Sequence, residues 1–177
     1  PRSVRWIFPH APHRSVTING GMSMRAWYDI LSLDRHGPED EEGIRASAKV
    51  VREMLETEVD RGVPEEKIVL AGFSQGGAIA LHAGLRYPGR LAGVLALSTY
   101  LPLASTLGAE KSDEGQQTEI FLGHGLLDPV IPPFFGEASK NALEEQGYRV
   151  GWNTYTAEHT VCPEEVRDIG TWLRGRL

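Results

Sequence analysis

The chain has 177 residues, of which 41% are hydrophobic and 24% are charged, so it is long enough to bury a sizeable core as one domain over residues 1–177. Its formal net charge of −6 argues against a nucleic-acid surface and a polybasic membrane anchor, because both need clustered lysine and arginine. The single cysteine, Cys162, excludes an internal disulfide and a Cys-rich zinc site, and we expect no membrane span, no signal peptide and a cytoplasmic location.

Strand-like and helix-like segments alternate along the chain. Hydrophobic patterning and turn residues predict, in order, a strand at 4–8, a loop at 9–21, a helix at 38–60, a strand at 68–71, a helix at 78–87, strands at 94–97 and 120–122, a helix at 134–146, a strand at 152–155 and a helix at 163–173. The continuous apolar run at 68–71 is typical of a strand buried on both faces. This alternation predicts an α/β fold with a mostly parallel sheet flanked by helices.

The connection at 101–118 is the exception to this alternation. It is polar, contains glycine and is long for a link between two elements. We expect it to be either a mobile surface loop or part of a lid.

The segment GFSQG at 72–76 fits the pattern G-x-S-x-G. It directly follows a predicted strand and opens a predicted helix, which is the context in which this pattern carries a nucleophile. Such a serine sits on a sharp turn, and the residues two before and two after it, Gly72 and Gly76, must be small because strand and helix nearly touch there. The sequence therefore predicts Ser74 as a nucleophile and the backbone N–H of Gln75 as an oxyanion donor at the helix N-terminus.

A nucleophilic serine needs a base and a group that orients the base. In enzymes with this turn, the chain order is serine, acid, histidine, which disfavours four histidines: His10, His13, His36 and His82. His159 follows the predicted strand at 152–155, at the same sheet edge as Ser74, and Asp128 follows the strand at 120–122. His124 is the rival base, but it would leave only Asp113 as its acid, and Asp168 comes after His159 and fails on order.

The roles follow from this order. His159 takes the proton of Ser74 and returns it to the leaving group, while Asp128 holds the imidazole in the required tautomer. Because a free imidazole titrates near about 6.5, we expect activity to fall as the pH drops through that region.

Several motifs together resemble the phospholipase/carboxylesterase family, which includes small bacterial carboxylesterases and acyl-protein thioesterases. They are PHAP at 9–12, VTINGG at 16–21, AWYDI at 26–30, AGFSQGGA at 71–78, GHG at 123–125 with Asp128, and Glu158-His159 with IGTWL at 169–173. The resemblance implies an α/β-hydrolase that cleaves carboxylic esters without metal or cofactor, with Ser74, Asp128 and His159 as its catalytic residues and Gln75 as one oxyanion donor. The bacterial carboxylesterase branch, the closest in sequence, implies small short-acyl esters as substrates and a possible homodimer.

One feature of that family has no counterpart here. The family begins with a strand that ends in a His-Gly-Leu-Gly type loop, whose backbone supplies the second oxyanion donor. We therefore expect the N-terminal strand or strands to be missing, through a fragment or a natural short form, unless another segment supplies the donor. A missing strand would expose a sheet edge.

The residues that surround the substrate are less clearly marked. Trp27 follows the turn at 20–21, and Tyr100 and Leu101 leave the predicted strand at 94–97 at its catalytic end. Val130 lies beside Asp128, and Val161 lies beside His159. We expect these five to line the substrate pocket, with core packing as the alternative for Trp27, Tyr100 and Leu101, and we read Cys162 as a structural thiol.

Three functions are compatible with this sequence. The first is a serine carboxylesterase that hydrolyses small short-acyl esters through an acyl-serine intermediate. The second is an acyl-protein thioesterase or lysophospholipase, which a longer apolar tunnel would favour. The third is a catalytically impaired α/β-hydrolase-fold binding protein, suggested by the missing oxyanion loop.

Overall fold

The computed structural model describes residues 3–32, 34 and 37–177. Its strands are β1 (His13–Val16), β2 (Met22–Arg25), β3 (Val69–Phe73), β4 (Gly93–Leu97), β5 (Ile120–Gly125) and β6 (Val150–Tyr155). Its α-helices are α1 (Glu41–Asp60), α2 (Gln75–Leu85), α3 (Leu107–Glu110), α4 (Pro133–Glu145) and α5 (Pro163–Arg174). Over these described ranges, no helix is long and apolar enough to cross a membrane.

The four strands β3 to β6 form one parallel sheet in the order β3-β4-β5-β6. In its register, Phe73 pairs with Leu97, Leu97 with Gly123, and Gly123 with Asn153. The carboxyl ends of all four strands therefore lie along one edge, where ligands bind in open α/β sheets. The predicted α/β fold with a parallel sheet and flanking helices is confirmed.

Helix α1 begins where the sequence supplies a cap. The side chain of Asp40 accepts a hydrogen bond from the Gly43 N–H at 2.9 Å, which satisfies one of the free amides of the first turn. The helix therefore begins at Glu41 rather than at the predicted residue 38. Its apolar stripe faces inward, with Ile44 and Leu55 buried.

Helix α2 begins at the edge of the sheet where the strands end and runs back through the interior. Every one of its residues from 77 to 85 is buried, as expected for a helix that is hydrophobic all round. On one side, Ala78 and Ile79 of α2 join a core cluster with Ile44 of α1, Tyr28 and Leu103. This packing fixes the position of the first turn of α2, which follows Ser74.

Side chains of the central strands alternate between two cores. On β4, Val94 and Ala96 enter one core cluster, whereas Leu95 and Leu97 enter another, which Ile169 and Trp172 of α5 cover. This alternation is the period of two expected for a strand buried on both faces.

Two predictions for the first 25 residues are wrong. Residues 4–8 pair with no strand in the described chain, and the side chains of Val4, Trp6, Ile7 and Phe8 are exposed. The predicted loop at 9–21 instead contains β1, which pairs antiparallel with β2 in a hairpin. Backbone pairing decides both outcomes, because an apolar run becomes a strand only where a partner strand is available.

The prediction that the strand at 68–71 is buried on both faces is also wrong in part. Ala71 and Phe73 of β3 are exposed, because β3 lies at one end of the sheet order among the described strands. Composition alone does not distinguish such an edge from a central position.

The connection at 101–118 is not a loose surface loop, whereas its alternative role as part of a lid stays a prediction. Leu101, Leu103 and Leu107 are buried in the core, and short helical turns cover most of the segment. The buried guanidinium of Arg86 holds the segment in place, donating hydrogen bonds to the Leu103 carbonyl at 3.0 Å and to the Glu110 carboxylate at 2.5 Å.

A buried carboxylate, Glu165, packs against β5 from the first turn of α5. Its side chain is 1% exposed and fills the space beside Gly123. Burial, and to a smaller extent nearby Asp168, raises the pKa of Glu165 to about 7, although the Cys162 backbone N–H donates a hydrogen bond that lowers it. Within the described structure, Oε1 of Glu165 has no hydrogen-bond partner.

We expect this carboxylate to make stability depend on pH. Because its pKa is higher in the folded chain, its contribution is fully present below about 4.5 and is lost as the pH rises through about 7. Glu165→Gln removes the titration, so the free energy of unfolding of the variant minus that of the parent should increase by about 3 kcal/mol between pH 4 and pH 8.

Urea unfolding at several pH values measures this difference. Glu164→Gln is the matched control, because it makes the same substitution on the same turn of α5 at a side chain that is 70% exposed. Parallel curves for Glu165→Gln and the parent would contradict the prediction.

Candidate active site

Ser74 occupies the turn between β3 and α2 in a strained conformation. Its φ of 55° and ψ of −122° lie in a region that residues other than glycine rarely adopt. Two hydrogen bonds hold it there: the Ser74 N–H donates to the Leu97 carbonyl at 2.8 Å, and the Ala78 N–H donates to the Ser74 carbonyl at 3.1 Å. The strand and the helix thus both fix the backbone of Ser74.

The glycines around Ser74 differ in how much space they leave. A Cβ on Gly72 would overlap the Gly76 carbonyl, and a Cβ on Gly77 would lie 2.8 Å from Cγ2 of Thr99. A Cβ on Gly76 would meet nothing nearer than Nε1 of Trp27 at 3.9 Å. The predicted close approach of strand and helix is thus present between Gly72 and the Gly76 backbone. The prediction that Gly76 itself must be small is wrong, because its own side-chain direction is open, and Gly77 is the tight position in the helix.

His159 lies on the loop between β6 and α5, at the same sheet edge as Ser74. Its Nε2 is 3.0 Å from Oγ of Ser74, and its ring contacts Phe73 with the ring centroids 4.7 Å apart. The structure thus brings together the serine and the histidine that the chain order predicts.

Gly125 allows this loop to approach β5, a feature that sequence reasoning missed. A Cβ on Gly125 would overlap the carbonyl oxygens of Ala157 and Glu158. The Leu127 N–H donates to the Ala157 carbonyl at 3.0 Å, which ties the two loops together. The glycine in the segment GHG was the available signal, because a strand residue without a Cβ marks a close backbone approach.

Asp128 completes the arrangement from the loop after β5. Its Oδ2 lies 2.7 Å from Nδ1 of His159, and its Oδ1 accepts from the N–H groups of Val130 and Ile131, each at 2.9 Å. Burial by itself raises the pKa of Asp128, but the hydrogen bonds from His159, Ile131 and Val130 outweigh it and hold the pKa below its usual value. The carboxylate is therefore ionised at neutral pH and ready to stabilise an imidazolium.

His124, the rival base, lies behind Asp128 instead of beside Ser74. It is 1% exposed, its Nε2 is 2.8 Å from the Ile131 carbonyl, and the same nitrogen is 3.6 Å from Oδ2 of Asp128. Burial lowers the pKa of His124, so it is neutral and donates to Ile131. His124 thus supports the loop that carries Asp128.

The other histidines lie away from this arrangement. His10 and His13 are exposed, and His36 lies outside the described residues. His82 is 2% exposed, and burial lowers its pKa to about 4. Across residues 3–32, 34 and 37–177, no group of three or more His, Cys, Asp or Glu side chains is placed to hold a metal ion.

The predicted oxyanion donor is the first residue of α2. Gln75 follows Ser74 directly, and the first amides of a helix have no partner within the helix. The helix N-terminus adds a partial positive charge at the same place. An oxygen that develops negative charge beside Ser74 would therefore meet a suitable donor in the Gln75 N–H.

The five predicted pocket residues separate into three groups. Leu101 is 7% exposed and belongs to the main core cluster, so its predicted place in the pocket is wrong because its side chain turns into the interior. Trp27 and Tyr100 are half-buried and pack against the cluster beneath α2. Val130 is 50% exposed, and Val161 is half-buried against the core on the α5 side.

Comparisons with known proteins agree with this fold. A family model described as phospholipase/carboxylesterase matches residues 1–176. Acyl-protein thioesterase 1 of Cryptococcus neoformans var. neoformans is 39% identical over 99% of this chain and 81% of its own length. Acyl-protein thioesterase 1 of Neurospora crassa is 40% identical over 98% of this chain and 74% of its own length.

Solved structures of proteins with related sequences have a similar fold. Arabidopsis thaliana SOBER1 superposes with a TM-score of 0.93 at 31% identity, covering 97% of this chain and 83% of that one. Zea mays acyl-protein thioesterase 2 superposes with a TM-score of 0.86 at 34% identity, covering 97% and 80%. Esterase PE8 superposes with a TM-score of 0.80 at 25% identity, covering 96% and 77%.

The tight and open glycines of the turn make a matched pair for mutation. Gly72→Ala places a Cβ on the backbone of Gly76 and should lower the free energy of unfolding by at least about 3 kcal/mol. Gly76→Ala meets open space and gains helix propensity, so its stability should equal the parent's or exceed it by up to about 1 kcal/mol. Urea unfolding measures both variants, and equal losses for the two would contradict the assignment of the close contact to Gly72.

Asp128→Asn should abolish most activity without altering the shape of the loop. The Val130 and Ile131 N–H groups require an oxygen at the Oδ1 position, so the new NH₂ group must face Nδ1 of His159. The imidazole then carries its proton on Nε2 and has no lone pair for Ser74, which should lower kcat by about three to four orders of magnitude.

Asp168→Asn is the matched control for this variant. Asp168 lies on α5 and accepts from the Tyr155 hydroxyl at 3.0 Å, a bond that an asparagine oxygen preserves. Steady-state hydrolysis of a p-nitrophenyl ester should show less than about a threefold change in kcat for this control. A comparable loss in both variants would contradict the role of Asp128.

Proposed function

The chain belongs to the phospholipase/carboxylesterase family of hydrolases, and we propose that it is a serine acyl hydrolase that cleaves the thioester of S-acylated proteins. In this proposal, Ser74 is the nucleophile, His159 the base and Asp128 the acid that orients the base. The Gln75 N–H is one oxyanion donor, and no metal or cofactor takes part.

One observation carries the chemistry of this proposal. Both nitrogens of the His159 ring are engaged, Nδ1 by Asp128 at 2.7 Å and Nε2 by Ser74 at 3.0 Å. An imidazole held in this way can accept the serine proton, because the carboxylate fixes its tautomer and stabilises the cation that forms. The strained turn at Ser74 supports the same role, since strain at a polar residue beside a base is typical of a functional site.

The proposed reaction proceeds in two halves. Oγ of Ser74 attacks the acyl carbonyl carbon as its proton moves to Nε2 of His159, and the carbonyl oxygen gains negative charge beside the Gln75 N–H. The C–S bond then breaks, the imidazolium returns the proton to the departing sulfur, and an acyl-Ser74 ester is formed. A water molecule, deprotonated by His159, cleaves that ester and releases the fatty acid.

The relatives favour a thioester over a small oxygen ester. Those at 39–40% identity that match nearly the whole chain are named acyl-protein thioesterase 1, and a maize structure at 34% identity is an acyl-protein thioesterase 2. A thiolate is also the easier leaving group, because a free cysteine thiol has a pKa near about 8.5. We therefore place the thioesterase ahead of the short-acyl carboxylesterase that the sequence analysis put first.

Hydrolysis of small oxygen esters is the second candidate. It uses the same three residues, and esterase PE8, which is 25% identical over 96% of this chain, supports it. The chain length of the acyl group separates the two candidates, since a protein thioesterase must accept a long acyl chain. The homodimer and the cytoplasmic location expected from the sequence stay predictions, of which size-exclusion chromatography with light scattering measures the first.

The test compares a palmitoyl-cysteine peptide, its palmitoyl-serine analogue and p-nitrophenyl acetate. We expect the highest kcat/KM for the thioester and a loss of at least about 10³-fold on all three substrates in Ser74→Ala. Ser105→Ala, at an exposed serine on the connection after β4, is the matched control and should retain parental activity.

The outcomes separate the proposals. Turnover of p-nitrophenyl acetate alone would favour the small-ester hydrolase. Labelling of Ser74 by a fluorophosphonate without turnover of any substrate would indicate that deacylation fails. Absence of both labelling and turnover would overturn the hydrolase proposal and favour the binding-protein alternative.

A further inference from the structure

A short segment of backbone runs across the first turn of α2. We call residues 26–29 the strap. The Gln75 side chain binds the strap at two adjacent points: its Oε1 accepts from the Trp27 N–H at 2.7 Å, and its Nε2 donates to the Tyr28 carbonyl at 2.7 Å. Both ends of the amide side chain are thus used to hold the strap, while the backbone N–H of the same residue is the proposed oxyanion donor.

Further hydrogen bonds hold the strap at its neighbours. The Ser47 hydroxyl of α1 donates to the Trp27 carbonyl, so both polar groups of the Trp27 backbone are engaged. The Ala26 N–H donates to the Pro12 carbonyl at 3.0 Å, and the Tyr28 hydroxyl lies 2.9 Å from the Tyr100 hydroxyl. The Gln75 side chain connects the strap to α2 directly after Ser74, the proposed nucleophile.

The strap places a large apolar side chain beside that nucleophile. A Cβ built on Gly76 would lie 3.9 Å from Nε1 of Trp27, so the indole borders the first turn of α2, two residues beyond Ser74. The ring is half-buried and its inner side packs against the cluster of Tyr28, Ile44, Ala78, Ile79 and Leu103.

We propose that the Gln75 side chain is a positioning residue that fixes Trp27 as a wall for the acyl chain of the substrate. This inference rests on the proposed function. In the proposed reaction, Ser74 attacks the carbonyl carbon, His159 protonates the leaving group and the Gln75 N–H binds the oxyanion. The acyl chain is the one remaining substituent of that carbon, and none of these groups binds it. The indole of Trp27 borders the first turn of α2, two residues beyond Ser74, and it offers the apolar contact that an acyl chain needs.

A purely structural role for Gln75 would give a different result. If the side chain only stabilised the fold, its loss would reduce activity equally for every substrate. If it positions a wall for the acyl chain, its loss should affect long acyl chains more than short ones, and should do so in KM more than in kcat.

The experiment uses Gln75→Met, which nearly preserves the volume but neither accepts from Trp27 nor donates to Tyr28. Kinetics with p-nitrophenyl esters from acetate to decanoate should show KM for decanoate raised about tenfold, with KM for acetate within about threefold of the parent. Trp27→Ala should produce the same dependence on chain length. Gln117→Met, at an exposed glutamine, is the matched control and should leave the profile unchanged.

Gln75→Glu provides a second variant in case the methionine weakens the fold. Its carboxylate still accepts from the Trp27 N–H but cannot donate to the Tyr28 carbonyl, and it brings a negative charge near the proposed oxyanion site. We expect this variant to lower kcat for every ester and, in addition, to raise KM for decanoate more than KM for acetate. Hydrogen exchange of the Trp27 amide should be faster in Gln75→Met than in the parent.

Labelling of Ser74 with a small fluorophosphonate distinguishes a failure of this inference from a failure of the proposed function. If Gln75→Met is labelled at the parental rate but all esters change by one common factor, the positioning role is overturned while the hydrolase stands. An unchanged chain-length profile in both Gln75 variants overturns it equally. If the parent itself is not labelled, the proposed function fails.

Discussion

The contact between strand β3 and helix α2 at Gly72 is the constraint on which the rest of the site depends. The carbonyl of Gly76 occupies the space that a side chain on Gly72 would need, so the chain must reverse within a single residue. That residue is Ser74, at a φ of 55°, and a conformation of this kind persists only where its surroundings over-determine it. Here the hydrogen bond to Leu97 and the buried body of α2 supply that support.

A second set of contacts places His159, the proposed base, beside Ser74. Parallel register places the ends of β5 and β6 beside the end of β4. The loop with His159 must still approach Ser74, and the loop with Asp128 must approach His159, each within hydrogen-bond distance. Gly125 permits that approach by lacking a side chain where the backbone of Ala157 passes. Asp128 then receives its orientation from two backbone N–H groups, so the position of His159 is set by the backbone and one carboxylate. Preorganisation of this kind lowers the reorganisation needed as charge develops.

One residue, Gln75, takes part in both proposals. Its backbone N–H is the proposed oxyanion donor, and its side chain binds the Trp27 N–H and the Tyr28 carbonyl. Because the proposed donor is a backbone group, a substitution such as Gln75→Met retains it while removing the side-chain bonds.

The sequence by itself determined the elements that a local pattern encodes. The G-x-S-x-G segment after a β-rich run specified the turn at Ser74, and chain order then selected Asp128 and His159 over His124. The turn can be read from the sequence because turn chemistry and the strand-to-helix context extend over only a few residues. The structure places the three side chains within hydrogen-bond distance, and their catalytic roles stay a prediction. The parallel sheet likewise follows from alternation of elements, which requires no knowledge of distant contacts.

Only the tertiary structure decided the features that depend on partners distant in the chain. Ala71 is exposed because β3 lies at the edge of the described sheet, and residues 4–8 remain irregular because no strand pairs with them. Leu101 turns into the core, although its place after β4 suggested the pocket. The hydrogen bond between the Trp27 N–H and the Gln75 side chain joins residues that are 48 positions apart in the sequence. Burial, pairing and side-chain hydrogen bonds of this kind are set by which segments meet in space, and a one-dimensional pattern does not specify that.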